Sequence, residues 1–462
     1  MQVFLYLSEI AKKMLKFIKK YKYLFIIVFI GFSYLVTVEN FPKSLSHFPF
    51  YIIIFLFDLY LWKAFSKEVY RKRNFTRNTI IIFYWTPLFV MVIMSIINLF
   101  YPLQIKNNIG YTYIVGLVFM IYGAKTIAAI IILLSDVIRF VNYIWRFLKS
   151  KGKRQIPKTN QQDQSKISRS KFLTKLCLLT GGVVLSTMLI GRFKWVSEFR
   201  IRKENIKLPN LPNEFDGLRI VQLSDLHLGS WTSLEPLREL VKMVNSIKPD
   251  VIFFTGDLVN FSTGEAFNFE DILKQLKAKY GVFSILGNHD YGDYVNWNGS
   301  EDKVENMNQL YSFYKRIGWK LLRNDHVYIR RKEEKIVLIG VENWGANKRF
   351  PQLGSVDMAQ KGVDPSLVKI LLSHDPSHFD KVILKKHKDI DLTLSGHTHG
   401  FQFGIETPNF KWSPAQYIYK YWAGLYKVNN QYIYVNRGAG FLGYPGRIGI
   451  FPEIAELTLL KT

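Results

Sequence analysis

The sequence predicts a multi-span α-helical membrane region followed by an α/β domain, and three observations carry that reading. Long apolar runs fill residues 1–194 and then cease. Beyond them, short hydrophobic runs of strand length are interspersed with amphipathic helical segments, as in α/β domains. Five of those short runs end in a turn bearing Asp, His or Asn, and ligands gather outside the carboxyl ends of strands in such sheets.

The chain has 462 residues and a formal charge of +26. Nucleic acid is one explanation of such a charge and basic cytoplasmic loops are another, so position decides between them. Lys12, Lys13, Lys16, Lys19, Lys20 and Lys22 open the chain as an interfacial basic helix. Apolar stretches follow at 23–38, 48–65, 79–100, 111–134 and 172–191, against the roughly 17–25 residues that a span requires. Lys67, Arg71, Lys72, Arg73 and Arg77 lie between the second and third stretches. Residues 142–171, between the fourth and fifth, form a basic linker, with Pro157 and a Gln-rich cluster inside it. The alternate loops hold only Lys43 and Lys106. Basic loops stay cytoplasmic, so the N-terminus is expected inside and the C-terminal domain outside. The charge is thereby assigned to the membrane region, and nucleic acid is not the expected main partner. The spans carry few ionisable residues, chiefly Asp58, Lys63 and Lys125, which fits an anchor better than a transport path. Ser168-Arg169-Ser170-Lys171-Phe172-Leu173 resembles a twin-arginine export signal with Ser170 in the second arginine position; a signal-anchor is the expected reading. The only cysteine, Cys177, lies in an apolar run, so no disulfide joins two parts of the chain. The domains expected are residues 1–194, in the membrane, and 195–462, catalytic.

The soluble part reads in order. Strand 219–223 ends in Asp225-Leu226-His227, whose i, i+2 spacing can turn both side chains toward one ion. A helix follows at 233–247, with Leu237, Leu240, Val241 and Val244 on one face. Strand 251–255 ends in Gly256-Asp257. A short helix at 272–276 precedes strand 282–286, which ends in Gly287-Asn288-His289-Asp290. Strands 336–341 and 368–372 come next, the latter ending in Ser373-His374-Asp375. The apolar run 390–394 leads into Gly396-His397-Thr398-His399-Gly400. One such turn means little, because Asp and Asn favour turns for ordinary reasons. Five in succession point to a shared centre. Asp225, His227, Asp257, Asn288, His374, His397 and His399 make seven candidate ligands, too many for one catalytic zinc and apt for two ions sharing a carboxylate. Carboxylate, amide and imidazole donors without thiolate suit manganese, iron or zinc.

This ordered set, Asp-x-His, Gly-Asp, Gly-Asn-His-Asp, a lone His and Gly-His-x-His, resembles the calcineurin-like metallophosphoesterase superfamily. Within it, the bacterial membrane-anchored or exported branch is the most similar. The pointers are Leu208-Pro209-Asn210-Leu211-Pro212, Phe215-Asp216-Gly217-Leu218, Asn436-Arg437-Gly438-Ala439-Gly440, Arg447 and Pro452-Glu453-Ile454. The resemblance implies a four-layer α/β/β/α sandwich of two mixed sheets in the bacterial cytoplasmic membrane. It also implies a dinuclear phosphoesterase acting through a hydroxide that bridges two divalent metal ions. Asp225, His227, Asp257 and His399 would hold the first ion, and Asp257, Asn288, His374 and His397 the second. His289 would serve the leaving oxygen, with Asp290 fixing its orientation. Phe401 departs from the pattern, since many relatives carry glycine there.

Aromatic residues crowd 291–297 and 401–426, which fits a lipid-facing or base-stacking rim and equally well ordinary packing in a strand-rich insertion, and tethering favours an envelope or lipid-linked phosphoester as substrate. Two alternatives stand beside this reading. Similarity to UDP-2,3-diacylglucosamine hydrolases implies pyrophosphate cleavage in lipid A biosynthesis, although that substrate is cytoplasmic and the expected topology is not. A non-catalytic membrane sensor with a vestigial site is disfavoured by the intact ligand set.

Overall fold

The computed structural model describes residues 48–100, 109–149 and 169–462. One compact unit draws its described residues from 1–105 and 121–181, the other from 106–120 and 182–462. Its boundary thus falls inside two helices, whereas the sequence suggested a division at residue 194.

Among the described residues, four long helices precede the sheets: α1 (Phe48–Val69), α2 (Asn74–Phe100), α3 (Ile109–Lys149) and α4 (Arg169–Phe193). Among the described residues, three segments are long and apolar enough to cross a membrane: Asn74–Ile97, Tyr113–Trp145 and Thr174–Ser197. They coincide with the third, fourth and fifth expected spans. The expected first span, the basic helix at 1–22 and most of the cytoplasmic linker lie outside the described residues. The expected second span forms α1, which carries Asp58, Lys63, Lys67 and Glu68 within its sequence. Asp58 is fully buried, and Lys125 Nζ of α3 lies 2.7 Å from its Oδ1. Tyr122 donates to the other carboxylate oxygen at 2.7 Å, and Tyr84 of α2 donates to the Asp58 carbonyl at 2.7 Å. A charge is tolerable in such surroundings because each of its carboxylate oxygens has a partner.

From Arg200 onward the chain builds two six-stranded mixed sheets. The first has the order β1 (Arg200–Leu208), β14 (Glu453–Lys461), β2 (Arg219–Leu223), β3 (Val251–Phe254), β4 (Val282–Ser284) and β5 (Trp319–Leu321). The second has the order β12 (Gly424–Val428), β13 (Gln431–Val435), β9 (Leu392–Ser395), β8 (Lys369–Leu372), β7 (Glu334–Gly340) and β6 (Asp325–Arg331). β2 to β5 are parallel, and so are β13, β9, β8 and β7.

Strand periodicity sorts the core into layers. Ile220, Phe253, Leu338, Ile370, Leu392 and Leu457 meet between the sheets. Val221, Ile252 and Phe254 face the other way, onto helices α5 (Glu235–Ile247) and α6 (Ser300–Arg316). Val337, Leu371 and Ile433 face the opposite outer layer, against Val356, Phe379 and Ile383. The result is the four-layer α/β/β/α sandwich. Gln222 ties the sheets together from within, donating to Thr255 Oγ1 at 3.0 Å and to the Ser395 carbonyl at 2.9 Å. β2, β3 and β4 of one sheet and β8 and β9 of the other thereby bring their carboxyl ends to one place.

Replacing Lys125 by Leu leaves the buried Asp58 carboxylate uncompensated. We expect a loss of about 3–5 kcal/mol, read as a lowered thermal midpoint in detergent, whereas Asp58→Leu combined with Lys125→Leu costs much less.

Candidate metal centre

Every turn that supplies the site is backed by a strand of the sandwich, and several are bent in ways that side chains resist. Asp225, His227, Asp257, His397 and His399 all take positive φ, between 47° and 72°. Each such residue costs of order 1 kcal/mol and persists only when its surroundings hold it. The turns interlock through backbone bonds: Asp225 N–H donates to Gly256 O at 2.9 Å, His227 N–H to Asp257 O at 3.1 Å, and Gly396 N–H to His374 O at 2.9 Å. Two glycines make this approach feasible. A Cβ on Gly396 would lie 1.9 Å from Ser224 Oγ, and one on Gly287 would lie 2.1 Å from Asp257 Oδ1.

Six of the seven expected ligands fall into two groups. Asp225, His227 and His399 place one ligand atom each within 4.8 Å of one another, and so do Asp257, His374 and His397. Asp257 joins the groups: its Oδ2 is 3.5 Å from His227 Nε2 and 3.1 Å from His374 Nε2. His399 Nε2 is 3.2 Å from Asp225 Oδ1 and 3.1 Å from His227 Nε2. Asn288 Oδ1 is buried without a hydrogen-bond partner. Buried acceptors left unpaired are expensive, and a cation is the partner that this donor set suits.

The electrostatics agree. Burial alone would raise the Asp225 carboxyl, but the His399 and His374 imidazoles hold it well below the usual carboxylate range. Asp257 is likewise held well below that range, by His374 and His289 against burial. Burial favours a neutral His374, yet Asp257 outweighs it and raises the imidazole to about 10. His227 goes the other way, lowered to about 3 by burial against Asp257. Two buried carboxylates kept ionised, with an imidazole driven to its protonated form beside them, make a place that demands positive charge, which divalent ions supply.

Supporting contacts fix the rings. His227 Nδ1 donates to Asn260 Oδ1 at 2.9 Å and His374 Nδ1 to Thr255 O at 2.7 Å, so each turns Nε2 inward. His397 Nε2 is 2.9 Å from the Tyr419 hydroxyl and 3.5 Å from Asp375 Oδ2. His289 stands beside the ligands without joining either group. Its Nδ1 donates to Asn260 O at 2.8 Å, its ring meets the His227 ring edge-on at 5.0 Å, and Tyr294 packs on it at 4.4 Å.

Asp290 does not orient the His289 ring, contrary to expectation; Asn260 does. The Asp290 carboxylate instead accepts backbone N–H bonds from Gly287, Asp257, Leu258 and Val259, at 2.8–3.3 Å. A buried carboxylate ringed by amides staples two ligand turns together and has no lone pair aimed at an imidazole. Burial and the Asp257 charge push it up to about 7, against the pull of those amides. His378 lies apart from the two groups, bonding Ser373 Oγ at 2.9 Å and stacking on Trp344.

Sequence reasoning missed Asn260, three residues after Asp257 and bonded to two histidines at once. Its backbone N–H and that of Phe261 are held in turn by Glu265, at 2.6 and 3.1 Å. Arg447 also gains a physical role. It is fully buried, donates to the carbonyls of Arg437, Gly438 and Gly440, and reaches within 3.4 Å of His399 Nδ1. Phe401 and Gln402 sit at φ 53° and 56°, a conformation that glycine adopts freely, which explains why glycine is at home at that position.

Residues 218–401 match the family model described as calcineurin-like phosphoesterase, and residues 43–194 match one described as probable calcineurin-like phosphoesterase, transmembrane domain. The chain is 34% identical over 263 residues to a transmembrane protein with metallophosphoesterase domain from Danio rerio, covering 55% of this chain and 56% of that protein. It is 29% identical over 311 residues to the metallophosphoesterase YkuE of Bacillus subtilis, covering 64% and 99%. It is 28% identical over 291 residues to the UDP-2,3-diacylglucosamine pyrophosphatase LpxG of Chlamydia trachomatis, covering 52% and 83%. This chain therefore spans little more than half the length of the Danio relative.

Substituting Asn260 by Ala removes the acceptor that orients His227 but keeps the carbonyl that holds His289. Metal titration of the purified chain should show affinity falling roughly 10–100-fold, with recovery in Asn260→Asp.

Proposed function

We propose, for a chain that carries a calcineurin-like phosphoesterase domain behind a transmembrane domain, hydrolysis of a phosphoester at a centre of two divalent ions, with an envelope or lipid-linked substrate. The observation that supports it most is the position of Asp257 Oδ2, between the inward nitrogens of His227 and His374 and therefore between two ligand groups. Asp225, His227 and His399 with Asp257 would hold one ion, and Asp257, Asn288, His374 and His397 the other. When bound, such a pair acidifies water and neutralises charge on the phosphoryl oxygens.

The remaining chemistry belongs to the chain. His289 has its Nδ1 committed to Asn260 O, so proton exchange with substrate falls to Nε2. Protonated there, it donates to the departing oxygen and stabilises the charge that develops on it. Tyr294 keeps that ring in place and accepts from Asn288 Nδ2 at 2.8 Å. Tyr419 caps His397 on the far side. A cavity of about 320 Å³ opens there, lined by Asp375, Tyr419, Lys381 and Lys420, among others, and gives a bulky alcohol or headgroup somewhere to lie. Basic residues gathered in every second loop, and so on one side of the helices, favour a cytoplasmic N-terminus and an extracytoplasmic catalytic domain.

The likeness to the Chlamydia trachomatis pyrophosphatase supports a second reading, cleavage of a nucleotide-linked lipid pyrophosphate. Supplying the full-length chain with UDP-2,3-diacylglucosamine and measuring UMP release decides between them, since the first reading expects none.

Full-length protein in detergent, given Mn²⁺, should hydrolyse bis(4-nitrophenyl) phosphate. No hydrolysis of the diester or the monoester with two ions bound would overturn the proposal. His289→Ala should retain its metal content while turnover drops roughly 100-fold or more; loss of metal from that variant would make His289 a ligand instead.

A further inference from the structure

We infer that the segment between the ligand His399 and β12 docks on the lipid bilayer and seats the mouth of the site in the headgroup layer. The lipid character of the substrate follows from this together with the phosphoesterase reading; the docking itself does not require that reading.

The segment has its polarity inverted. β10 (Ile405–Thr407) and β11 (Phe410–Trp412) form a hairpin in which Ile405 pairs with Trp412, Thr407 with Phe410, and Glu406 with Lys411. Alternation sends the two kinds of pair to opposite faces. Of the charged pair, Glu406 turns into the protein, accepting from Arg437 at 2.6 Å and Arg202 at 2.8 Å, while the exposed Lys411 reaches back to donate to the Ala423 carbonyl at 2.6 Å. The apolar face is the one left to the surroundings, with Ile405 55% and Phe410 56% exposed. Phe403, Tyr417 and Ile418 extend it, at 45%, 75% and 67%. A soluble hairpin of this length would bury those side chains and expose the ion pairs. The reverse marks a surface that meets an apolar phase.

The occupant is identified by what the patch adjoins. Gly404 N–H donates to Ile448 O at 2.9 Å and Ile448 N–H to Gln402 O at 2.7 Å. The neighbouring Arg447 N–H donates to Gly191 O at 3.2 Å, and Gly191 lies in the membrane-crossing segment Thr174–Ser197. The Tyr444 hydroxyl also donates to Met188 O of that segment. The exposed hairpin thus continues directly from the end of a candidate span. Trp195 and the 73%-exposed Phe193 complete an aromatic girdle of the kind found where spans leave the bilayer. In the other direction the patch runs into the site, because Ile418 precedes Tyr419, whose hydroxyl touches His397. Span end, hairpin and metal centre are consecutive, and a phosphoester held at headgroup depth would reach the ligands without leaving the interface.

The test places a bimane at position 410 of the full-length chain, using Phe410→Cys in a Cys177→Ala background. The protein is reconstituted into phosphatidylethanolamine–phosphatidylglycerol vesicles with or without brominated acyl chains. A second protein labelled through Glu333→Cys, in the turn at the far ends of β6 and β7, serves as reference. Insertion predicts emission reduced roughly twofold or more by the brominated lipid at 410, with the reference unchanged. Equal emission in both lipids at 410 would overturn the inference. Quenching at 410 in a protein that hydrolyses no phosphoester would leave the docking standing and remove the phosphoesterase reading.

Discussion

The domain depends on one carboxylate. Asp257 leaves β3 in a left-handed conformation, receives the His289 backbone N–H at 2.8 Å on one oxygen, and presents the other to two imidazoles from different sheets. His227 comes from the β2 turn of the first sheet and His374 from the β8 turn of the second. A single buried charge therefore holds the sheets in register at their carboxyl ends. The Asp257 charge raises both the His374 imidazole and the Asp290 carboxyl.

That position is paid for in the layer behind it. Five candidate ligand residues sit at positive φ, and an isolated turn would relax out of that geometry. Asp290 prevents it by accepting four backbone amides from the β3 and β4 turns. Glu265 does the same for the Asn260 loop, and Arg447 for the carbonyls of 437–440. These side chains contribute little as charges and a great deal as hydrogen-bonding templates. Rotamers locked in this way keep ligands within the tolerance that a two-ion site requires.

Much of this was legible in the sequence because chemistry and punctuation coincide there. A short β-branched run followed by Asp, His or Asn is readable wherever it occurs, and the five turns bearing Asp225, Asp257, Asn288, His374 and His397 share one plan. The strands behind them were readable for the same reason. β1 was not: Arg200, Arg202, Lys203 and Lys207 alternate with few apolar residues, and its identity comes from pairing in parallel with β14, more than 240 residues later. The hairpin β10–β11 is equally hidden, because its apolar face points outward. Asp290 was placed at the site by its motif, but only coordinates reveal which amides a carboxylate meets. The third, fourth and fifth spans were readable from hydropathy alone, whereas only the structure shows that Asp58 of α1 finds its partner 67 residues away in Lys125.

The central claim is that Asp257 is shared by two ions. Electron paramagnetic resonance of the purified full-length chain titrated with Mn²⁺ tests it most directly. Two ions about 3.5–4 Å apart across one carboxylate should give an exchange-coupled multiline signal at two equivalents, and Asp257→Asn should abolish the coupling. A spectrum of isolated six-line Mn²⁺ at saturation, or binding that stops at one equivalent, would contradict the account.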